Sequence, residues 1–166
     1  MSKFIINGGN KLRGTYTVSG AKNAAPKLLI ASLLTKEKCV FHNIARISDT
    51  YRSLDALTSL GASIKFIKKN SIEIQCADIY SSEIPLEVMS ARQSVIFIGA
   101  TLARTGHVII YPPKGDTIGK RPINRHLLGI QALGGKIIKK GNNRLEIFMP
   151  KRPKSLSYTF EKKTHC

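Results

Sequence analysis

Tryptophan is absent from these 166 residues, and aromatic residues make up only 7% of them. That scarcity argues against a base-stacking platform, which needs flat rings interleaved with cations. Acidic residues are also few: 10 Asp and Glu stand against 27 Lys and Arg, for a formal charge of +17. A balance this basic raises nucleic acid or an anionic membrane surface as partner. The cations, however, are spread along the whole chain, with only short pairs such as Lys68-Lys69, Lys139-Lys140 and Lys162-Lys163. Nucleic acid is therefore disfavoured against a lysine-rich surface that meets small anionic substrates. The three cysteines, Cys39, Cys76 and Cys166, are odd in number and lack CxxC spacing. They argue against a disulfide framework and a zinc site, and fit a reducing cytoplasm with no metal or cofactor. No apolar run approaches the roughly 20 residues of a membrane span, and the opening MSKFIINGGN has no apolar h-region of a secretory signal.

What the chain does have is an internal repeat, a feature that decides the fold when present. Leu60-Gly61-Ala62-Ser63-Ile64 corresponds to Leu133-Gly134-Gly135-Lys136-Ile137 (133 − 60 = 73). Ile72-Glu73-Ile74 matches Leu145-Glu146-Ile147 at the same offset, and Ser19 to Asn23 aligns with Met89 to Gln93 at 89 − 19 = 70. The pattern predicts α/β units of the form βαβαββ, the first over about 15–78 and the second over about 86–149. In the first, Thr15 to Val18 reads as a strand and Lys22 to Leu34 as a helix, with Pro26 in the first turn where its missing N–H costs little. Cys39 to Phe41 is the next strand. A helix capped by Asp49 or Thr50 carries Leu54, Leu57 and Leu60 on one face and closes at Gly61. Ile64, Phe66, Ile72 and Ile74 alternate with polar residues as a half-buried hairpin.

The second unit is expected to repeat this. Arg92 opens a helix through Ile96, Ile98 and Leu102, and Val108 to Tyr111 forms a strand. Asn124 caps a helix bearing Leu127, Leu128 and Leu133, and Ile137-Ile138 with Leu145 to Met149 make the hairpin. Tyr158-Thr159-Phe160 matches Tyr16-Thr17-Val18, so a third unit is expected to begin at about 156 and to stop after its first strand. Such units rely on their neighbours for burial.

Two segments carry candidate chemistry. Ser19-Gly20-Ala21-Lys22-Asn23-Ala24-Ala25 is a small-residue turn entering a helix, where unpaired N–H groups and the Lys22 charge suit an anion. An ordinary helix start with a solvated lysine has the same pattern. Arg92 occupies the corresponding place in the second unit, which favours a shared anion groove. The second segment, Pro112 to Pro122, is a strand-to-helix loop longer than its counterpart at Asn43 to Ser48, with Gly115 and Gly119 around Asp116. Loops on rigid scaffolds are where catalytic groups tend to sit, although a mobile surface loop reads the same way.

Together the stretches SGAKNAA and PKGDTIGKRPINRH resemble the two signatures of the UDP-N-acetylglucosamine 1-carboxyvinyltransferases, SGAKNA and PGGCTIGxRPxDLH. The resemblance runs from about Phe4 to His165. The shikimate-pathway enolpyruvyl transferase shares the repeat but carries other signatures at both places. The resemblance implies inside-out α/β barrel domains of three units each, of which this chain would hold two and the first strand of a third. It implies transfer of enolpyruvyl from phosphoenolpyruvate to the 3′-hydroxyl of UDP-N-acetylglucosamine, with release of phosphate. By position, Lys22 and Asn23 would hold phosphoenolpyruvate and the reacting hydroxyl. Arg92 and Arg121 would face phosphates, where a guanidinium fork fits. Arg121, Pro122, Ile123, Asn124 and Arg125 would line the nucleotide.

Asp116 stands where the family usually has cysteine, a replacement some members share. A carboxylic acid there can protonate the enol carbon if bound anions offset the pull of Lys114, Lys120 and Arg121. Asp116 is thus the expected acid, and resistance to fosfomycin, which alkylates a thiolate, is expected; covalent labelling of the loop by that drug would contradict it. Asn124 and Arg125 replace the usual Asp and Leu, and His126 at a helix start reads as structural. The family's remaining unit and second domain lie outside these residues. The chain alone is therefore expected to be inactive and to need a missing C-terminal half, because electrostatic catalysis needs groups on all sides of the substrate. The alternatives are a non-catalytic relic that still binds a UDP-sugar and a basic RNA-associated protein.

Overall fold

The computed structural model describes residues 3–89, 95–112 and 122–159. Five helices and six strands are assigned among them. In order these are α1 (Ala25–Ala31, continued by a 3-10 turn, Ser32–Leu34), β1 (Cys39–Phe41), α2 (Ser48–Ser59), β2 (Ser63–Lys68) and β3 (Ser71–Gln75). Then follow α3 (Leu86–Met89), α4 (Val95–Thr105), β4 (His107–Ile110), α5 (Asn124–Ala132), β5 (Lys136–Lys140) and β6 (Arg144–Phe148). The strands form two antiparallel sheets of identical order, β1-β3-β2 and β4-β6-β5. Their registers repeat as well: Cys39 faces Ile74 as Val108 faces Ile147, and Ile64 faces Ile74 as Ile137 faces Ile147.

Alternation in the strands decides which face meets the helices. Ile72 and Ile74 of β3, Val108 and Ile110 of β4, and Leu145 and Ile147 of β6 turn into a single apolar core with Leu29, Ile30, Leu33, Leu57, Phe97 and Ile98. The opposite faces are mixed: Val40 stands beside Glu73, and Ile109 and Ile138 beside Glu146, while Lys38 pairs with Glu73 at 3.3 Å and Arg144 with Glu146 at 2.6 Å. The outer strands β2 and β5 carry Lys65, Lys68, Lys136, Lys139 and Lys140. Lysines on an edge strand oppose pairing with another chain, which accounts for part of the positive charge without a nucleic-acid partner. The β5–β6 turn closes through Asn142 and Asn143, both left-handed at φ 58° and 57°, a conformation asparagine tolerates. Gly61 and Gly134 end α2 and α5 in the left-handed region, as the glycine positions predict.

The structure departs from the sequence reading at several points. Thr15 to Val18 is not a strand, and Tyr16 and Val18 are exposed. Alternation makes a strand only where another edge supplies hydrogen bonds, and no described strand pairs with this one. Tyr158 and Thr159 are likewise outside any strand, while Phe160 lies outside the described residues. Asp49 and Thr50 do not cap α2. Its N-cap is Ile47, with no side-chain cap bond, and the Thr50 hydroxyl instead donates to the Ala45 carbonyl at 2.7 Å. Asn124 begins α5 after Ile123 without capping it. Phe66 is nearly half exposed although it still pairs with Ile72 on the outer strand β2, whose register becomes irregular only beyond it. The two halves also differ in cover: Leu57 and Leu60 of the first are buried, whereas α5 has no buried residue and leaves Leu128 and Leu133 exposed.

Candidate active site

The Ser19–Ala25 turn is held from behind by backbone packing. A side-chain carbon on Gly20 would collide with the Asn43 carbonyl oxygen, so the chain comes this close only because the residue is glycine. Asn43 itself is left-handed at φ 54°, and its side-chain amide donates to the Val18 carbonyl at 3.4 Å. Ile44 donates its N–H to the Asn70 carbonyl at 2.9 Å, tying the same stretch to the β2–β3 turn. Within the turn, Ala24 and Ala25 N–H groups both bond to the Ala21 carbonyl. Lys22 and Asn23 are left exposed just ahead of α1.

The Lys22 ammonium lies 3.6 Å from Asp49 Oδ2, and Arg52 Nη1 lies 3.8 Å from Asp49 Oδ1. Asp49 sits in the first turn of α2, where a carboxylate is favoured by the helix dipole. Lys22 is 68% exposed, so this pair is screened and weak; its importance is that it sets where the ammonium rests.

A second candidate place, in the second half, is a cleft at the end of β4. Pro122, Ile123 and Asn124 line one wall, and Lys139, Lys140 and Arg144 of the β5–β6 hairpin stand on the other. Arg125 is half-buried and is not part of that lining. Lys22 and Asn23 do not line this cleft either, so the expected residues fall into two groups, one in each half. Arg92, Asp116 and Arg121 lie outside the described residues. Beside the cleft, Tyr111 donates its hydroxyl to Glu83 Oε1 at 2.6 Å. That bond, helped by burial and by the Glu83 charge and opposed by Arg144, raises the Tyr111 pKa. Among the described residues no group of three His, Cys, Asp or Glu could hold a metal, and no helix is long and apolar enough to cross a membrane.

Sequence reasoning missed the Lys22–Asp49 pair, having assigned Asp49 to capping. Nothing in the sequence brings the first turn of α2 beside the residues after Gly20, so this pair had no local signal. The hairpin cations had no such signal, because a Lys-Lys pair before a turn reads as solvated. Arg104, which bonds to four carbonyls of the first half, also reads from sequence as a solvated cation at the end of an apolar helix.

The site thus stands on a repeated arrangement, two three-stranded sheets of one order under helices with a cationic turn ahead of α1. Residues 6–164 match the family described as EPSP synthase (3-phosphoshikimate 1-carboxyvinyltransferase), and the chain belongs to that family of enolpyruvyl transferases. It is similar in fold to the enolpyruvyl transferase NikO from Streptomyces tendae, with a TM-score of 0.70 and 16% identity, covering 86% of this chain and 31% of that one. An EPSP synthase from Acinetobacter baumannii gives a TM-score of 0.65 and 17% identity over 91% of this chain and 36% of its own.

Two curated relatives are UDP-N-acetylglucosamine 1-carboxyvinyltransferases. The UDP-N-acetylglucosamine 1-carboxyvinyltransferase of Deinococcus deserti is 37% identical over 156 residues, 93% of this chain and 36% of that protein. UDP-N-acetylglucosamine 1-carboxyvinyltransferase 1 of Staphylococcus epidermidis is 40% identical over 148 residues, 86% of this chain and 35% of its own length. The chain thus spans about a third of the length of these relatives.

Proposed function

We propose that this chain serves the transfer of enolpyruvyl from phosphoenolpyruvate to the 3′-hydroxyl of UDP-N-acetylglucosamine, in cytoplasmic peptidoglycan synthesis. The observation that carries the reading is the Lys22 turn: glycine packing seats it, Asp49 lies against its cation, and it falls within the stretch similar to the carboxyvinyltransferase of Deinococcus deserti. In this reading the chain holds two repeat units, about 15–78 and 86–149, and the start of a third at about 156. Three such units close an inside-out barrel, and the uncovered face of α5 is where the third packs.

The sugar 3′-oxygen bonds to C2 of phosphoenolpyruvate and gives up its proton, while Asp116 delivers a proton to C3. Cleavage of the bond from C2 to the phosphate oxygen, with loss of a proton from C3, then restores the double bond and releases phosphate. Lys22 and Asn23 bind phosphoenolpyruvate and the reacting hydroxyl; Arg92 and Arg121 bind phosphate groups. Pro122, Ile123, Asn124 and Arg125 contact the nucleotide. Calorimetric titration of the purified chain with phosphoenolpyruvate tests the assignment of the first turn. Lys22→Ala is expected to weaken binding at least about tenfold, the scale of a lost charge-assisted contact. Unchanged affinity in that variant would overturn the assignment.

A further inference from the structure

Arg104 stands in the last turn of α4, yet its guanidinium bonds to nothing on its own helix. Nη1 donates to the carbonyls of Leu33 and Thr35, both at 2.7 Å. Nη2 donates to those of Cys76 and Ala77, at 3.2 Å and 2.9 Å. All four acceptors belong to the first half of the molecule. Two flank Leu34 at the end of the turn that continues α1, and two follow β3. The carbonyls that end a helix carry partial negative charge and want donors, so a full cation is well placed there.

The repeat itself marks this residue as special. At the offset of 70 that relates Ser19–Asn23 to Met89–Gln93, the segments entering α1 and α4, Arg104 stands opposite Leu34 (104 − 34 = 70), an exposed apolar side chain. The two halves therefore differ here in chemistry, and the Arg104 side chain reaches across to bracket the residue that stands opposite it. α1 and α4 pack against each other, and α4 also packs on the 3-10 turn. Apolar packing alone tolerates small axial slides between helices, since its contacts are non-directional. Four directional bonds from one planar fork do not.

We infer that Arg104 is a positioning residue that fixes the axial register of α1 against α4 and thereby places the Lys22–Asn23 turn. α1 is only seven residues long, so a shift at its far end is carried to the turn with little loss. The segment just ahead of α4 holds Arg92, so the helices joined by Arg104 are the two whose leading segments bear the anion-facing residues assigned above. The functional meaning of the inference rests on that assignment; the placement of the turn does not.

The test uses Arg104→Ala and Arg104→Lys in the whole chain. Hydrogen exchange is read at the Ala24, Ala25 and Leu28 amides, whose bonds to Ala21 and Ala24 carbonyls lie at the head of α1. In Arg104→Ala these amides are expected to exchange at least tenfold faster, while the amides of β5 and β6 keep their protection. Arg104→Lys, with three donors on a point charge, is expected to restore only part of the protection. Change confined to the neighbourhood of Leu33–Thr35 and Cys76–Ala77, with the α1 head unmoved, would overturn the inference. The same variants are then titrated with phosphoenolpyruvate. If the turn is what Arg104 acts through, Arg104→Ala weakens binding about fivefold or more in the wild-type background and adds nothing in a Lys22→Ala background. Multiplicative effects of the two changes, as expected of a residue that only stabilises the fold, would contradict it. Failure of the unaltered chain to bind phosphoenolpyruvate would count against the assignment of Lys22, and the exchange result would still decide whether Arg104 places the turn.

Discussion

Tyr111 shows how far one residue's chemistry follows from its neighbours. A phenol hydrogen-bonded to a carboxylate must stay protonated to keep that bond, and the Glu83 contact therefore moves its ionisation to higher pH. The sign for stability follows directly. The folded chain holds this proton more tightly than the unfolded one, so the contribution is complete below an ordinary tyrosine pKa of about 10 and is lost as pH rises through the raised value. At neutral pH the bond is intact. Ultraviolet titration of the phenolates should show one late-titrating tyrosine that disappears in Tyr111→Phe. An unchanged late phase in that variant would remove the Glu83 bond from the account. Nothing in the sequence announced this pair, because 28 residues separate its members and neither lies in a recognisable motif.

The turn ahead of α1 is where local sequence and tertiary contact meet. SGAKNAA reads as a helix entry, and the helix follows; what it cannot reveal is the Asn43 carbonyl pressed against Gly20. Gly20→Ala places a carbon on a backbone oxygen that cannot rotate away, and overpacking of this kind costs ~1–3 kcal/mol. Denaturant unfolding should show that loss, with Gly8→Ala, whose added carbon meets open space, as the unaffected control. Equal stability of the two variants would contradict the packing described. Strands and helices with buried faces were legible from periodicity, as β3 and β6 illustrate with Ile72, Ile74, Leu145 and Ile147. The edges were not. Thr15 to Val18 has the right alternation, but a strand is a property of two segments, and the second is not given by the first.

For the molecule as a whole, the repeat was the most informative feature of the sequence, and it survives as two sheets of one order and one register. The asymmetries between the halves were invisible to that reading. Arg104 against Leu34 ties the halves together, and the contrast between a covered α2 and an uncovered α5 sets them apart. The candidate site was legible as two segments, but not as two places in the fold with partners such as Asp49 and Arg144. The charge of +17 also changes meaning at this scale, because five of the lysines stand on the edge strands β2 and β5. The central claim is that these residues recognise a sugar nucleotide, and its most direct test is calorimetric titration of the chain with UDP-N-acetylglucosamine. The account predicts saturable one-to-one binding that Arg121→Ala weakens at least about tenfold, as expected for loss of a bidentate phosphate contact. Absence of binding, together with steeply salt-dependent capture of generic RNA that Lys22→Ala and Arg121→Ala leave unchanged, would contradict it and point to a basic RNA-associated protein on this fold.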